Sequence, residues 1–468
     1  MDSREKQLIR NTGIIGMGTI APRLTSIITL PVVTAGLSQA EFGTYDLVVT
    51  MTMLLMPLVT LEIEFAAFRF LIDCRNNEKK IDSIISTTIC FSIPIVVLVG
   101  VLVFFLLVKF RVTTRILVCT FFITDVLLSE VQQIIRGLAL NELFSKSTIL
   151  RSVINLGMIL YLILWKRQGM NAMLMAATIS SAVAIVFVLI KSKIWKSISI
   201  GACSKTLLVS MIGYSWPIIP STLSFWVLNT SDRLVITGFL GIEAVAIYAA
   251  ANKIPSILNI VNGIFALSWQ ENASLSAKDE DAGEYYSAIF ERLLRVACGC
   301  TSIVLAFVPL LFRLLIRGEY GDGYQNIPIL MLAILFSIIA AFLGGIYVAY
   351  KKTRSVGFTT IIAAVINLLV DFVLINKIGI YAASLSTLIS YVSLCIFRFI
   401  DVGKRHRIRF RYNQICGYLV VLGIMSLLCA MRMQIYNVLN IVIGIVFAAA
   451  INRYNINEAI KMIGGKIK

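Results

Sequence analysis

The chain has 468 residues, 58% of them hydrophobic and 14% charged, with a formal net charge of +17. Soluble domains carry about a quarter charged residues, so a water-soluble fold of this composition would expose large adhesive patches, and lipid is the matching solvent. In such a chain the positive balance reads as Lys and Arg in inward-facing loops, and nucleic acid is excluded as a partner.

Nine cysteines are scattered, several inside apolar runs, and the single histidine is His406 in a basic loop. Zinc sites need paired ligands at close spacing. No metal, no other cofactor and no histidine-based catalytic centre is therefore expected. The first apolar run is full length and lacks a following small-residue cleavage site, so no cleavable signal peptide is expected.

About 20 apolar residues cross the hydrocarbon core as a helix. Such runs predict helices near 11–37, 42–70, 83–108, 116–140, 147–165 and 170–190, then near 215–240, 242–270, 290–316, 325–350, 356–375 and 379–400. Two shorter ones follow near 415–431 and 435–452. The fold class is thus an all-α polytopic membrane protein with about fourteen transmembrane helices. With both termini on one side, that side collects 29 Lys and Arg against 10 on the other. The bias predicts cytoplasmic termini.

The chain also repeats itself. Thr34, Leu37 and Tyr45 recur as Thr237, Leu240 and Tyr248 at a constant offset of 203. Val153-Ile154-Asn155-Leu156 returns as Val365-Ile366-Asn367-Leu368, offset 212, and Gly169-x-x-Ala172 as Gly379-x-x-Ala382, offset 210. Six helices precede each second copy, so the copies run parallel about an axis along the membrane normal. The expected domains are an N-terminal six-helix lobe (1–190), a cytoplasmic interfacial linker (191–214), a second six-helix lobe (215–400), and a basic loop with two closing helices (401–468) around a central cavity. Lys191–Leu207 reads either as an interfacial helix or as a solvated loop. Lys404–Arg411 is the densest cationic run, suited to anionic headgroups or to topology enforcement. The largest non-apolar segment is about 271–289, too short for a catalytic domain.

Charges inside spans are expensive and mark candidate function. Arg23 and Lys253 fall near mid-membrane, and the repeat places Trp226 and Thr50 at their counterpart positions. They would attract an anionic head group, Arg as a planar fork and Lys as a point charge. For Arg23 an ion pair with Glu62 or Glu64 is the competing reading. Those two carboxylates, two residues apart on one expected helix, should point to opposite sides. Arg69 closes the same helix. Asp125 is suited to proton or cation coupling, or to a helix-packing hydrogen bond. Glu130 and Arg136 read as mouth residues. Asp232-Arg233 and Asp371 read as an outer gate, coupling groups or structural pairs. Phe225 and Trp226 can line the cavity, and Trp216 reads as a belt anchor. Pro22, Pro31, Pro217 and Pro220 should bend the first and seventh helices, where a rocking motion could be absorbed.

The opening Asn11-Thr12-Gly13…Arg23-Leu24…Leu37-Ser38-x-x-Glu41-Phe42-Gly43-x-Tyr45-Asp46 resembles the start of polysaccharide biosynthesis proteins. These are the Wzx-type O-antigen flippases of the multidrug/oligosaccharidyl-lipid/polysaccharide exporter superfamily. Tyr214-Ser215-Trp216-Pro217-x-x-Pro220…Asn229-x-Ser231-Asp232-Arg233, then Gly241 and Tyr248, is similar to that family's seventh helix. The resemblance implies two six-helix bundles around a cavity and two extra helices. It also implies a transporter, not an enzyme, in the bacterial inner membrane. Its cargo would be an undecaprenyl-diphosphate-linked oligosaccharide, carried from the cytoplasmic to the outer leaflet for O-antigen and lipopolysaccharide assembly. Membrane lipids are further partners, with the glycan polymerase and chain-length machinery as possible ones. The residues on their own agree: parallel repeats, no catalytic loop and buried cations suit a carrier of an amphipathic anion, because bare hydrocarbon is prohibitive for a diphosphate. A drug–cation antiporter is the alternative, and a membrane glycan polymerase or glycosyltransferase a third reading.

Overall fold

The computed structural model describes residues 3–464 apart from 407 and 409, so part of the Lys404–Arg411 run lies outside the described residues. Its helices are α1 (Ser3–Gly36), α2 (Gln39–Thr60), α3 (Ile63–Cys74), α4 (Glu78–Leu106), α5 (Val112–Gly137), α6 (Asn141–Leu160) and α7 (Gly169–Ser192). There follow α8 (Lys205–Ser215), α9 (Ile219–Thr230), α10 (Asp232–Leu240), α11 (Ile242–Lys253), α12 (Leu258–Leu275), α13 (Ala282–Leu315) and α14 (Asn326–Ala349). The last are α15 (Thr353–Ile378), α16 (Tyr381–His406), α17 (Tyr412–Ala430) and α18 (Gln434–Gly464). Among the described residues there is no strand, and the protein is an all-α, multi-pass membrane protein.

Among the described residues eleven helices are long and apolar enough to cross a membrane. They answer to eleven of the fourteen expected spans, and the other three have identifiable causes. The first, α1, is 34 residues long but dilutes its apolar run with Thr19, Arg23, Thr25 and Ser26. It runs as one helix through Pro22 and Pro31, each of which removes one backbone donor. The seventh span, expected at 215–240, breaks into a 3-10 turn at Trp216–Ile218, α9 and, after Ser231, α10, while α8 occupies the end of the expected linker. Pro217 sits at the head of that turn, where its missing N–H costs nothing. The eighth span breaks at Pro255 into α11 and α12.

A further break was invisible in composition. The second expected helix stops at Thr60 and restarts at Ile63, because Leu61 (φ 51°) and Glu62 (φ 57°) both take left-handed conformations. Such backbone costs a side-chain-bearing residue about 1–2 kcal/mol. The start of α2 is conventional: Ser38 Oγ accepts from the Glu41 amide at 3.3 Å, and Glu41 Oε2 accepts from the Ser38 amide at 3.0 Å. This reciprocal cap fixes the α1–α2 turn.

The segment after α7 is not the continuous interfacial helix weighed above. Lys193 turns left-handed (φ 57°) and ends α7, and two 3-10 turns, Ile194–Ser197 and Ile200–Ala202, carry the chain to α8. These turns are stitched to α4. Ser83 Oγ donates to the Ala202 carbonyl and Ser86 Oγ to that of Ser197, both at 2.9 Å, while the amides of Ser199 and Ser204 donate to Ser86 Oγ and Thr87 Oγ1.

The chain divides into two compact units, Met1–Trp226 and Val227–Lys468, with the border inside α9. The first is organised on α3, whose Ile63, Ala66, Ala67 and Leu71 pack with Ile84 and Ile85 of α4, Ile134 and Ile135 of α5, Val188 of α7 and Met211 of α8. In lipid such a core is held by close van der Waals packing rather than by transfer out of water. The second has a core of Val235 and Ile236 (α10), Val245 and Tyr248 (α11), Leu330 (α14), Ile375 (α15), and Ala382 and Ala383 (α16). These two cores set the positions of the buried charges.

Candidate functional site

In the first unit, α3 carries Glu64 into the interior directly after the left-handed break. Glu62, Glu64 and Glu130 are buried, with exposures of 2%, 0% and 1%. The expectation that Glu62 and Glu64 face opposite sides fails because no regular helix joins them, and both turn inward. Glu130 is not a mouth residue. Ser92 Oγ donates to its Oε2 at 2.8 Å, and Thr222 hydrogen-bonds Glu62. Thr60 lies close by but its hydroxyl donates to the Met56 carbonyl at 3.0 Å. Among the described residues, neither oxygen of Glu64 has a hydrogen-bond partner, nor has Oε1 of Glu62 or Glu130. Glu64 lies within electrostatic reach of both other carboxylates. Burying such groups without partners is costly, and charge inside a membrane protein marks function by default.

The remaining charges of this unit divide differently. Asp125 forms an ion pair with Arg151 at 2.5 Å, both side chains about one-quarter to one-third exposed, a partnership the sequence reading did not foresee. Arg69 pairs with Asp73 at 2.6 Å on an exposed face of α3. Arg136 lies over the rings of Phe68 and Phe144, at 5.2 and 5.4 Å. Arg23 is half-buried on α1. Phe225 is exposed, whereas Trp226 is buried and its indole N–H donates to the Thr50 carbonyl at 3.2 Å. That contact joins the repeat counterparts of Arg23 and Lys253.

In the second unit, Asp232 opens α10, where the helix N-terminus favours negative charge. Its Oδ2 accepts from Tyr248 Oη at 2.6 Å and Thr387 Oγ1 at 2.9 Å. Ser231 Oγ approaches Asn367 Oδ1 at 3.3 Å, and Asn367 donates to Ser386 Oγ at 3.4 Å. Asp371, one turn beyond Asn367 on α15, is fully buried and interacts electrostatically with Asp232. Among the described residues neither of its oxygens has a hydrogen-bond partner. Arg233 stacks on Tyr248 at 5.7 Å and donates to the Asn229 carbonyl at 3.3 Å. Lys253 is the last residue of α11, where the carbonyl end of the helix favours a cation.

Arg398 was hidden from sequence reasoning, which counted it with the basic loop. It lies inside α16, 4% exposed, and donates to the Ala340 carbonyl (2.7 Å), Thr360 Oγ1 (3.0 Å) and Thr359 Oγ1 (3.2 Å). Among the described residues no group of three or more His, Cys, Asp or Glu is arranged to hold a metal ion. The arrangement offers buried acids and cations with which to bind and exchange charge.

A family model described as polysaccharide biosynthesis protein matches residues 8–269. No match is found among curated proteins. Among solved structures, the fold is similar to a lipid II flippase, MurJ, in an inward closed conformation: TM-score 0.74 at 14% identity, covering 95% of this chain and 99% of that one. It is also similar to an inward-facing multidrug resistance MATE family transporter of the MOP superfamily, with TM-score 0.68 at 12% identity over 83% and 95% of the two chains. A MOP superfamily transporter from Pyrococcus furiosus gives TM-score 0.60 at 13% identity, over 84% and 95%. The fold is therefore shared with these structures, and the family model spans more than half the sequence. The chain belongs to the polysaccharide biosynthesis protein family.

Proposed function

We propose that this protein is a flippase for an undecaprenyl-diphosphate-linked oligosaccharide, an O-antigen or related repeat unit. It moves its cargo from the cytoplasmic to the outer leaflet of the bacterial inner membrane by alternating access. The observation that carries the reading is the family match over residues 8–269 on a chain whose fold follows a lipid II flippase almost end to end. Arg23 and Lys253 serve as counter-charges for the diphosphate, with Arg233, Phe225 and Trp226 as further candidate contacts. Glu62, Glu64, Asp232 and Asp371 are the groups through which an ion gradient would drive the cycle. Asp125 and Arg69 are held in ion pairs, which supports a structural or gating duty for them.

A drug–cation antiporter has one specific observation in its favour, the buried carboxylates of both units. Complementation separates the two. Expression in a strain lacking its own flippase should restore surface glycan. Arg23→Ala or Lys253→Ala should each lower export roughly tenfold or more, as expected when a charge-assisted contact worth about 1.5–3 kcal/mol is lost. Restored drug resistance without surface glycan would favour the antiporter.

A further inference from the structure

A partly open cavity of about 450 Å³ lies in the first unit, and none of the candidate-site charges discussed above lines it. It is built from the first turns of α2, Phe110 between α4 and α5, the first turns of α5, and Gln168 with the first turns of α7. That is the end of the unit opposite the linker, which is stitched to the beginning of α4. With cytoplasmic termini it opens on the outer side of the membrane. The volume is that of an ordinary small-molecule site.

Its chemistry is specific. Glu41 Oε2 is held by the amide and hydroxyl of Ser38, both at 3.0 Å. The other oxygen lies against Gly169 so closely that a Cβ there would come within 1.6 Å of it. Only glycine allows the carboxylate this place in the wall. Thr114 Oγ1 donates to Asn171 Oδ1 at 3.0 Å, which fixes the Asn171 amide. Its two N–H groups remain as donors. Gln168 adds an exposed amide and Phe110 an exposed ring at the rim. A built-in carboxylate repels phosphate. Amide donors, a carboxylate acceptor and one aromatic face together match the hydroxyls and the C–H face of a sugar ring.

We infer that this cavity is a saccharide subsite, which holds the glycan part of the cargo on the outer side, apart from the diphosphate. The inference rests on the flippase reading for the origin of the sugar, while its binding chemistry can be tested alone. The probe is the lipid-free repeat-unit oligosaccharide released from the producing strain, added to the full chain in lipid nanodiscs and followed by saturation-transfer NMR. Wild-type protein should give sugar signals that empty nanodiscs lack. Phe110→Ala, whose ring is surface-exposed and carries no part of the core, and Asn171→Ala should each weaken them at least severalfold, while Arg23→Ala leaves them in place. No signal with wild-type protein, or equal signals with Phe110→Ala and Asn171→Ala, would overturn the subsite. So would loss of the signal with Arg23→Ala, since the sugar would then be held at the transport site. Complementation reads the flippase assignment independently, so a failed subsite and a failed flippase give different results.

Discussion

The two units bury acid with different numbers of donors. In the second, Asp232 sits at a helix N-terminus with a tyrosine and a threonine donating to Oδ2, while its Oδ1 has no hydrogen-bond partner among the described residues. In the first, Glu64 follows a strained left-handed break, with two carboxylates as electrostatic neighbours and no donor of its own among the described residues. A satisfied network rigidifies its surroundings, whereas an unsatisfied buried acid favours whichever state gives it a proton or a cation. On this contrast Arg398 and the two donors on Asp232 are expected to contribute stability, and Glu64 is expected to be the more readily switched of the two acids. Asp371 stands between them, in the satisfied neighbourhood but without a donor.

The sharpest test is on the satisfied side. Arg398→Ala removes the bonds donated to the Ala340 carbonyl and to the Thr359 and Thr360 hydroxyls, each worth about 1.5–3 kcal/mol for a charged donor, and leaves a cavity in their place. The detergent-solubilised protein should lose thermal stability by several degrees, and an unchanged melting temperature would undo the assignment of Arg398. Tyr248→Phe should follow, losing about 1–2 kcal/mol by the same measurement because Asp232 keeps only Thr387 as a strong donor. On the switching side, Glu64→Gln should change melting by less than Tyr248→Phe does and yet depress glycan export about tenfold. Export at the wild-type level would make Glu64 a packing residue and erase the contrast. The smallest effect belongs to Asp125 and Arg151. A double-mutant cycle on this partly exposed pair should give a coupling of about 0–1 kcal/mol, and a much larger value would move Asp125 among the functional acids.

What the sequence disclosed follows from which interactions are local. Apolar runs of membrane length are a property of composition, and eleven of them are helices as expected. Pro217 and Pro220 announced the broken seventh helix because proline acts on its own backbone. Pro255 carried the same signal for the eighth and went unread. The break at Leu61–Glu62 has neither glycine nor proline at its centre. The Glu62 amide donates to Thr60 Oγ1 at 3.2 Å and Ile63, Ala66 and Ala67 pack beside it, an arrangement for which the residue types at 60–62 carry no distinctive signal. The same reason explains Glu130 and Arg398, whose surroundings are set by helices distant in sequence. Glu62, Glu64, Asp232 and Asp371 were legible as costly charges, but not the hydroxyls that distinguish one pair from the other.

The stitching of residues 194–204 onto α4 has a practical consequence for anyone wishing to divide the gene. The repeat suggests a cut near residue 190, yet such a cut would strip Ser83, Ser86 and Thr87 of the strand of chain they clasp. It would also take α8 away from Phe70, whose ring meets that of Tyr214 at 6.1 Å. An N-terminal fragment meant to survive alone should therefore extend to Trp226, and the shorter one is expected to go to inclusion bodies.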